Sequence, residues 1–247
     1  MICGFLASAG HAQPGKKEIR VAAAADLQPV LPALAERYEK ATGTKLLVSY
    51  GSSGNLTTQI LNGAPIDLFM GADFVFPEKV VAANLADSTA PTQYARGTLV
   101  LWARKDSPLQ PITLDSLVDK RATAVAIAND LRAPYGQAAV AALKRLKMYD
   151  RVKPHLVVAE NIAQAAQFVE SGNAQLGLIS LTAASTPQFK AEGSFITVPG
   201  STYAPIMQCA VVMKSSERKA EAHAFLDWLL KPEVQSTLQQ MGLAPVR

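Results

Sequence analysis

The stretch KLLVSYGSSGNLTTQILNGAPIDLFMGAD, residues 45–73, decides the fold. Its first six residues form an apolar run of strand length. A Gly-Ser-Ser-Gly turn at 51–54 follows, then a helical segment from about Asn55 to Asn62, stopped by Gly63. A second apolar run, DLFMGA at 67–72, reads as the next strand. Two strands joined through a helix run parallel, so the stretch is one unit of an α/β fold.

The unit recurs along the chain. EIRVAAAA (18–25) is a buried strand, and Asp26 stands where a helix N-cap belongs. Val30, Leu31, Leu34, Ala35 and Tyr38 then form an apolar stripe ended by Gly43. GTLVLWA (97–103), TAVAIA (123–128), HLVVA (155–159) and LGLIS (176–180) supply further strands. A last strand at 206–213 and helices at 216–230 and 232–241 close the chain, the second helix opened by Pro232. The units fall into two similar sets, 18–83 and 123–180. The pattern predicts two α/β lobes, each a mostly parallel sheet flanked by helices, with crossovers near 95–104 and 200–206. Lobe I is expected over 17–100 plus 206–247 and lobe II over 101–205. Ligands of open α/β sheets sit outside the carboxyl ends of the strands, where helix N-termini point. Two such sheets facing one another surround a ligand from both sides.

Composition narrows the function. The chain has 247 residues, 49% of them hydrophobic and 18% charged, enough for a sizeable core. A net charge of +4 without a Lys/Arg block excludes a nucleic-acid partner. Residues 1–13, MICGFLASAGHAQ, are apolar and then small, with Gly10-His11-Ala12 resembling a signal-peptidase site. Residues 1–12 read as the remnant of an export signal, which implies a periplasmic protein. Cleavage after Ala12 removes Cys3 and leaves Cys209 alone in IMQCAVVM, a small buried residue rather than half of a disulfide.

Two serines between glycines at a strand end admit a nucleophile, a phosphate cradle or a clasp for a free anion. A serine-hydrolase elbow needs Gly-x-Ser-x-Gly, and Gly51-Ser-Ser-Gly54 is one residue short. His155 and His223 lie near no nucleophile in sequence, and neither a P-loop nor a Gly-x-Gly-x-x-Gly motif occurs. No cluster of His, Cys or paired carboxylates has metal-ligand spacing. The expectation is therefore no enzyme and no cofactor. An anion clasp fits: Ser52 and Ser53 stand at a helix start, where free N–H groups and the helix dipole favour negative charge. Simple N-capping by Ser53 is the competing reading.

Several motifs carry a resemblance. VAAAADL, ERYEKATG, VSYGSSGNLTTQILNGAPIDLFMGAD, YARGTLVLWARKDSPL, RAPYGQAAVAALKRL, ENIAQAAQFVESGNAQLGLISL and AFLDWLLKPEVQSTLQQMGL follow one another over 18–247. The ordered series resembles the periplasmic molybdate-binding proteins of ABC transporters, of the type II solute-binding fold. That resemblance implies two lobes closing on a tetrahedral oxyanion, molybdate or tungstate, held by neutral donors and passed to an inner-membrane permease by a monomer. It implies contacts at position 26, at Ser53 with Ser52 beside it, at a backbone N–H of Pro134-Tyr135-Gly136, and at Ile162 N–H. A last hydroxyl comes from position 180, here Ser180, or from Tyr135. The family's Ser or Thr at the first position is Asp26 here. A carboxylate facing a dianion is repulsive, and three arrangements relieve it. Asp26 caps the next helix, which we favour, or it is held protonated, or it accepts a proton carried by the ligand. Asp73 is expected to cap, and Arg132 to attract anions at the cleft mouth. Alternatives are a binding protein for a phosphate-like or carboxylate-bearing anion, or the sensing domain of a regulator.

Overall fold

The chain forms ten strands, most of them apolar runs too short for helices and bounded by turn residues. They are β1 Lys17–Ala24, β2 Thr44–Gly51, β3 Leu68–Gly71, β4 Thr92–Gly97 and β5 Leu99–Arg104, then β6 Val125–Ala128, β7 Leu156–Ala159, β8 Leu176–Ser180, β9 Gly193–Thr197 and β10 Ile206–Val212. The computed structural model describes residues 17–246, so the expected signal remnant at 1–12 lies outside the described residues. The strands form two five-stranded sheets, β2-β1-β3-β10-β4 in lobe I and β7-β6-β8-β5-β9 in lobe II.

Each sheet is mixed. In lobe I, β1 pairs in parallel with β2 and β3, while β10 runs antiparallel between β3 and β4. Lobe II repeats this, with β6 parallel to β7 and β8 and β5 antiparallel to β8 and β9. The strands entered through the crossovers are β5 and β10, while β4 (TQYARG) and β9 (GSFIT) lack a continuous apolar run, which is why the sequence pattern does not reveal them. The lobe boundary also shifts. Leu99 and Val100, expected in lobe I, pair with Ser180 and Ile179 of β8. The chain therefore leaves lobe I at Thr98, a single residue between β4 and β5, and returns through 198–205.

Two apolar layers stabilise each lobe. In lobe I, Leu31, Leu34 and Tyr38 of the helix Leu31–Thr42 pack with Phe225 and Leu229 beneath one sheet face, and Leu56, Ile60 and Phe76 cover the other. In lobe II, Ala139, Leu143 and Val152 cover one face, and Val169, Ala184 and Phe189 pack on Trp102 at the other. The first lobe II cluster includes Ala24, Ala25 and Ala72 of lobe I, so apolar packing continues across the cleft. Parallel register brings Ala24 of β1 beside Gly51 of β2, and Ala128 of β6 beside Ala159 of β7. The carboxyl ends of the two parallel sets meet at this junction.

Candidate anion-binding site

A small cavity lies between the lobes where those strand ends meet. Gly51, Ser52 and Ser53 line it from lobe I with Ala24, Ala25, Asp26 and Ala72; Ala133, Pro134, Tyr135, Asn161 and Ile162 line it from lobe II. Four of these are alanines, whose short side chains leave room and expose backbone.

Ser52, rather than Ser53, is the N-cap of the helix Ser53–Leu61, and its Oγ accepts a hydrogen bond from Asn55 N at 3.3 Å. Ser53 occupies the first helical position, and its Oγ accepts from Ala72 N at 3.0 Å. A hydroxyl has one hydrogen to give and two lone pairs to receive. Both serines thus use acceptor capacity within the protein and keep a hydrogen for the cavity. Thr57, one turn on, spends its hydroxyl on Ser53 O at 2.8 Å.

Three helices begin at the cavity: Ser53–Leu61, Pro134–Arg145 and Ile162–Glu170. First-turn N–H groups have no partner inside their helix. Asn161 Oδ1 satisfies those of Ala163 and Gln164, at 3.1 and 3.0 Å. Gly54 N donates across the cleft to Arg132 O at 2.8 Å. Among the described residues the N–H groups of Ser53, Tyr135 and Ile162 reach no other protein group, and all three residues line the cavity. Three helix N-termini and two hydroxyls thus converge, and no Lys or Arg lines the space. Such an array favours a compact anion and recognises it by hydrogen bonds alone.

Asp26 departs from expectation. It does not cap. A cap would need an N–H two or three residues on, but Gln28 N donates to Ala25 O and Pro29 has no N–H. Residues Ala25–Leu27 instead form one 3-10 turn, and the longer helix starts only at Leu31. The Asp26 side chain turns inward and is 1% exposed. Its Oδ2 accepts from Gln208 Nε2 and from Tyr135 OH, the latter at 3.3 Å, while Oδ1 is buried with no partner. Burial pushes the carboxyl up to about 7, against the opposing pull of the Gln208 and Tyr135 hydrogen bonds. Asp73 does act as a cap: its Oδ1 accepts from Phe76 N at 3.0 Å, and burial raises it to about 6.

Ser180 is not brought to this cavity. It lines a neighbouring pocket that shares Ala25 and Asp26 with the cavity. Thr182 Oγ1 lies 2.8 Å from both Asp26 O and Ser180 Oγ, and Ser180 Oγ also accepts from Ala183 N at 3.3 Å. Thr182 has one hydrogen, and Asp26 O, which can only accept, takes it. Ser180 then donates to Thr182, so its hydroxyl is spent on bracing the Asp26 turn. Arg132 also bridges the two lobes. Its Nη1 donates to Asn55 Oδ1 at 2.6 Å, and Asn55 Nδ2 donates to Glu160 Oε1 at 3.0 Å, so these groups clasp the lobes at the cavity rim.

Comparison with known proteins places this geometry. The family model for bacterial extracellular solute-binding proteins matches residues 19–244. The chain belongs to that family. This solute-binding protein is 36% identical to the molybdate-binding protein ModA of Azotobacter vinelandii, over 97% of this chain and 93% of that one. It is 34% identical to the ModA of Rhodobacter capsulatus, over 91% and 87% of the two chains. The solved periplasmic molybdate-binding protein of A. vinelandii superposes with a TM-score of 0.87 at 33% identity, covering 93% of this chain and all of the other. Family members bind solutes rather than transform them. Among the described residues no group of three or more His, Cys, Asp or Glu could hold a metal ion, and no helix is long and apolar enough to cross a membrane.

The solute-binding fold also brings in residues that sequence reading missed. Gln208 of β10 contacts Asp26 and Tyr135, and its Oε1 accepts from Tyr94 OH of β4 at 2.8 Å. Gln208 is fully buried. An amide inside the apolar run IMQCAVV was the available signal, since a buried polar side chain needs partners.

Proposed function

We propose that this protein captures a tetrahedral oxyanion, molybdate and also tungstate, in the periplasm and delivers it as a monomer to the permease of an ABC importer. One observation carries the reading: three helix N-termini with unpaired N–H groups and two free hydroxyls surround a cavity that no cationic side chain enters. A small dianion matches that donor set, because dipoles and hydrogen bonds supply the attraction. Relatives named molybdate-binding proteins over nearly the whole chain support the choice of ion. The contact set is Ser52, Ser53, the N–H groups of Tyr135 and Ile162, and Asp26; the oxygens of the ion, not its metal atom, meet these groups.

A thermal-shift titration with molybdate, tungstate, sulfate, phosphate and a small carboxylate tests this. A ligand bound only by the native state adds stability of RT ln(1 + [L]/Kd), about 2.7 kcal/mol at a hundredfold excess over Kd. Molybdate and tungstate should raise Tm, and a response to phosphate or the carboxylate alone would overturn the assignment. Ser53→Ala removes one hydrogen bond to a charged ligand and should weaken binding by about 2 kcal/mol. Thr57→Ala, whose hydroxyl faces Ser53 O, should change affinity far less. Calorimetry on both variants reads the difference, and equal losses would remove Ser53 from the contact set.

A further inference from the structure

Asp26 is the one carboxylate on a cavity otherwise built to hold negative charge. Its hydrogen bonding is lopsided. Tyr94 OH has two acceptors, Gln208 Oε1 at 2.8 Å and Gly71 O at 3.2 Å; the shorter contact is to the amide oxygen, and in this arrangement Nε2 faces Asp26 Oδ2. Tyr135 OH points at the same oxygen. Two donors therefore occupy Oδ2 and make it the acceptor end of the carboxyl group. Oδ1 is left buried without a partner. A buried oxygen bearing negative charge beside an oxyanion is doubly unfavourable, from desolvation and from repulsion. The same oxygen carrying a hydrogen becomes a donor.

We propose that the cavity binds its oxyanion together with one proton, held between Asp26 Oδ1 and an oxygen of the anion, so that capture of a dianion draws a proton from solvent. The inference rests on the oxyanion reading above and adds a co-bound proton to it. The bond formed is an O–H···O bond, and nothing is oxidised or reduced.

The surroundings isolate Asp26 as the group that changes charge. Tyr135 faces it from the helix Pro134–Arg145, Tyr94 from β4 and Gln208 from β10, while Thr182 Oγ1 donates to its backbone carbonyl; Cys209, next to Gln208 on β10, points to the other face of the sheet. Burial lifts both phenols well above their ordinary range and the Cys209 thiol to about 12, so all three stay neutral through the physiological window. Among the described residues no Lys, Arg or His hydrogen-bonds Asp26 to hold it ionised. Burial favours the acid form, with the carboxyl at about 7 before any anion adds its own repulsion.

Isothermal titration with sodium molybdate at about pH 8, in two buffers of different ionisation enthalpy, counts the proton directly. The wild type should take up about one proton per anion, and its Kd should rise about tenfold per pH unit above about pH 8. Asp26→Asn keeps a donor in the same shape, and Asp26→Ser keeps a smaller one. Both should bind with no proton uptake and a flat pH profile. A wild-type enthalpy identical in the two buffers would overturn the proposal, as would variants that still take up a proton. Tight molybdate binding without uptake removes only the proton and leaves the oxyanion reading standing. Silence toward molybdate, tungstate and sulfate alike removes both.

Discussion

Gly54→Val should lower the affinity for molybdate by about two orders of magnitude, a larger effect than its cost to the ligand-free fold. Gly54 is where backbone meets backbone across the cleft: its N donates to Arg132 O at 2.8 Å, and a Cβ placed on it would lie 3.0 Å from both Arg132 Cα and Arg132 O. A side-chain neighbour could rotate away, but main chain in the opposite lobe can give only if the lobes part. Forcing extra carbons into such a contact costs about 1–3 kcal/mol, and the lost interlobe hydrogen bond adds about 1 kcal/mol. The sum, about 3 kcal/mol, is roughly a hundredfold in Kd. The Arg132 contact burdens the closed state alone; Phe76 Cε1 of the same lobe also lies 3.0 Å from that Cβ, so a smaller part of the cost falls on the ligand-free fold. Calorimetry with molybdate, beside a melting curve without it, separates the two effects. Wild-type affinity in the variant would mean that the lobes need not meet here to hold the ion.

Asp67→Ala should cost about 2 kcal/mol of stability without touching the cavity. The carboxylate is buried at the start of β3. Its Oδ2 accepts from Arg20 N at 2.7 Å and Arg20 Nε at 3.1 Å, and its Oδ1 accepts from Arg20 Nη2 at 3.1 Å and Ser216 Oγ at 2.8 Å. One group thus ties β1 to the segment after β10. Removing the carboxylate leaves Arg20 N and the buried Ser216 hydroxyl without a partner, a loss of about 1–3 kcal/mol, while the half-exposed Arg20 side chain turns to water and its ion pair adds little. The acid limb should change as well. Burial pushes the Asp67 carboxyl up, but the Arg20 and Ser216 hydrogen bonds outweigh it and hold the group below its ordinary value. A depressed carboxylate contributes stability above its unfolded pKa and loses it as pH falls through the folded one. The wild type should therefore lose stability below about pH 4, and Asp67→Asn should lose less over the same interval. Parallel acid limbs in the two proteins would assign that loss to other carboxylates.

Much of the fold was legible because a βα unit writes itself into local sequence. KLLVSY and DLFMGA, with a helical segment between them, carry their own strand lengths and stop signals. What failed to show were the places where the chain changes lobes. Residues 97–103 read as one apolar run, yet Thr98 divides a strand of one lobe from a strand of the other. β5 is buried along 99–103, whereas β4 buries only Tyr94 and Ala95, so the apolar signal belongs to one lobe and β4 leaves little trace before it. The site was legible where it depends on local backbone: Ser52, Ser53, Tyr135 and Ile162 each stand at a helix start that capping chemistry marks. Asp26 was misread for a traceable reason. Its position suited a cap, but Pro29 removes one of the donors such a cap needs. Gln208 and Tyr94 lie 114 residues apart and meet only through a sheet pairing that no local pattern encodes.

That pairing bears on how the chain is made. β10 lies between β3 and β4, so the lobe I sheet is split until the chain is nearly complete, whereas lobe II is one uninterrupted segment ending with β9. During synthesis lobe II has all its strands before lobe I has its middle one. Closing a sheet by inserting a late strand is a long-range step, and long-range pairings are slow. The emerging polypeptide therefore stays without its interlobe cavity until the last fifth of its length is available, so the capacity to hold a ligand is among the last properties the chain acquires.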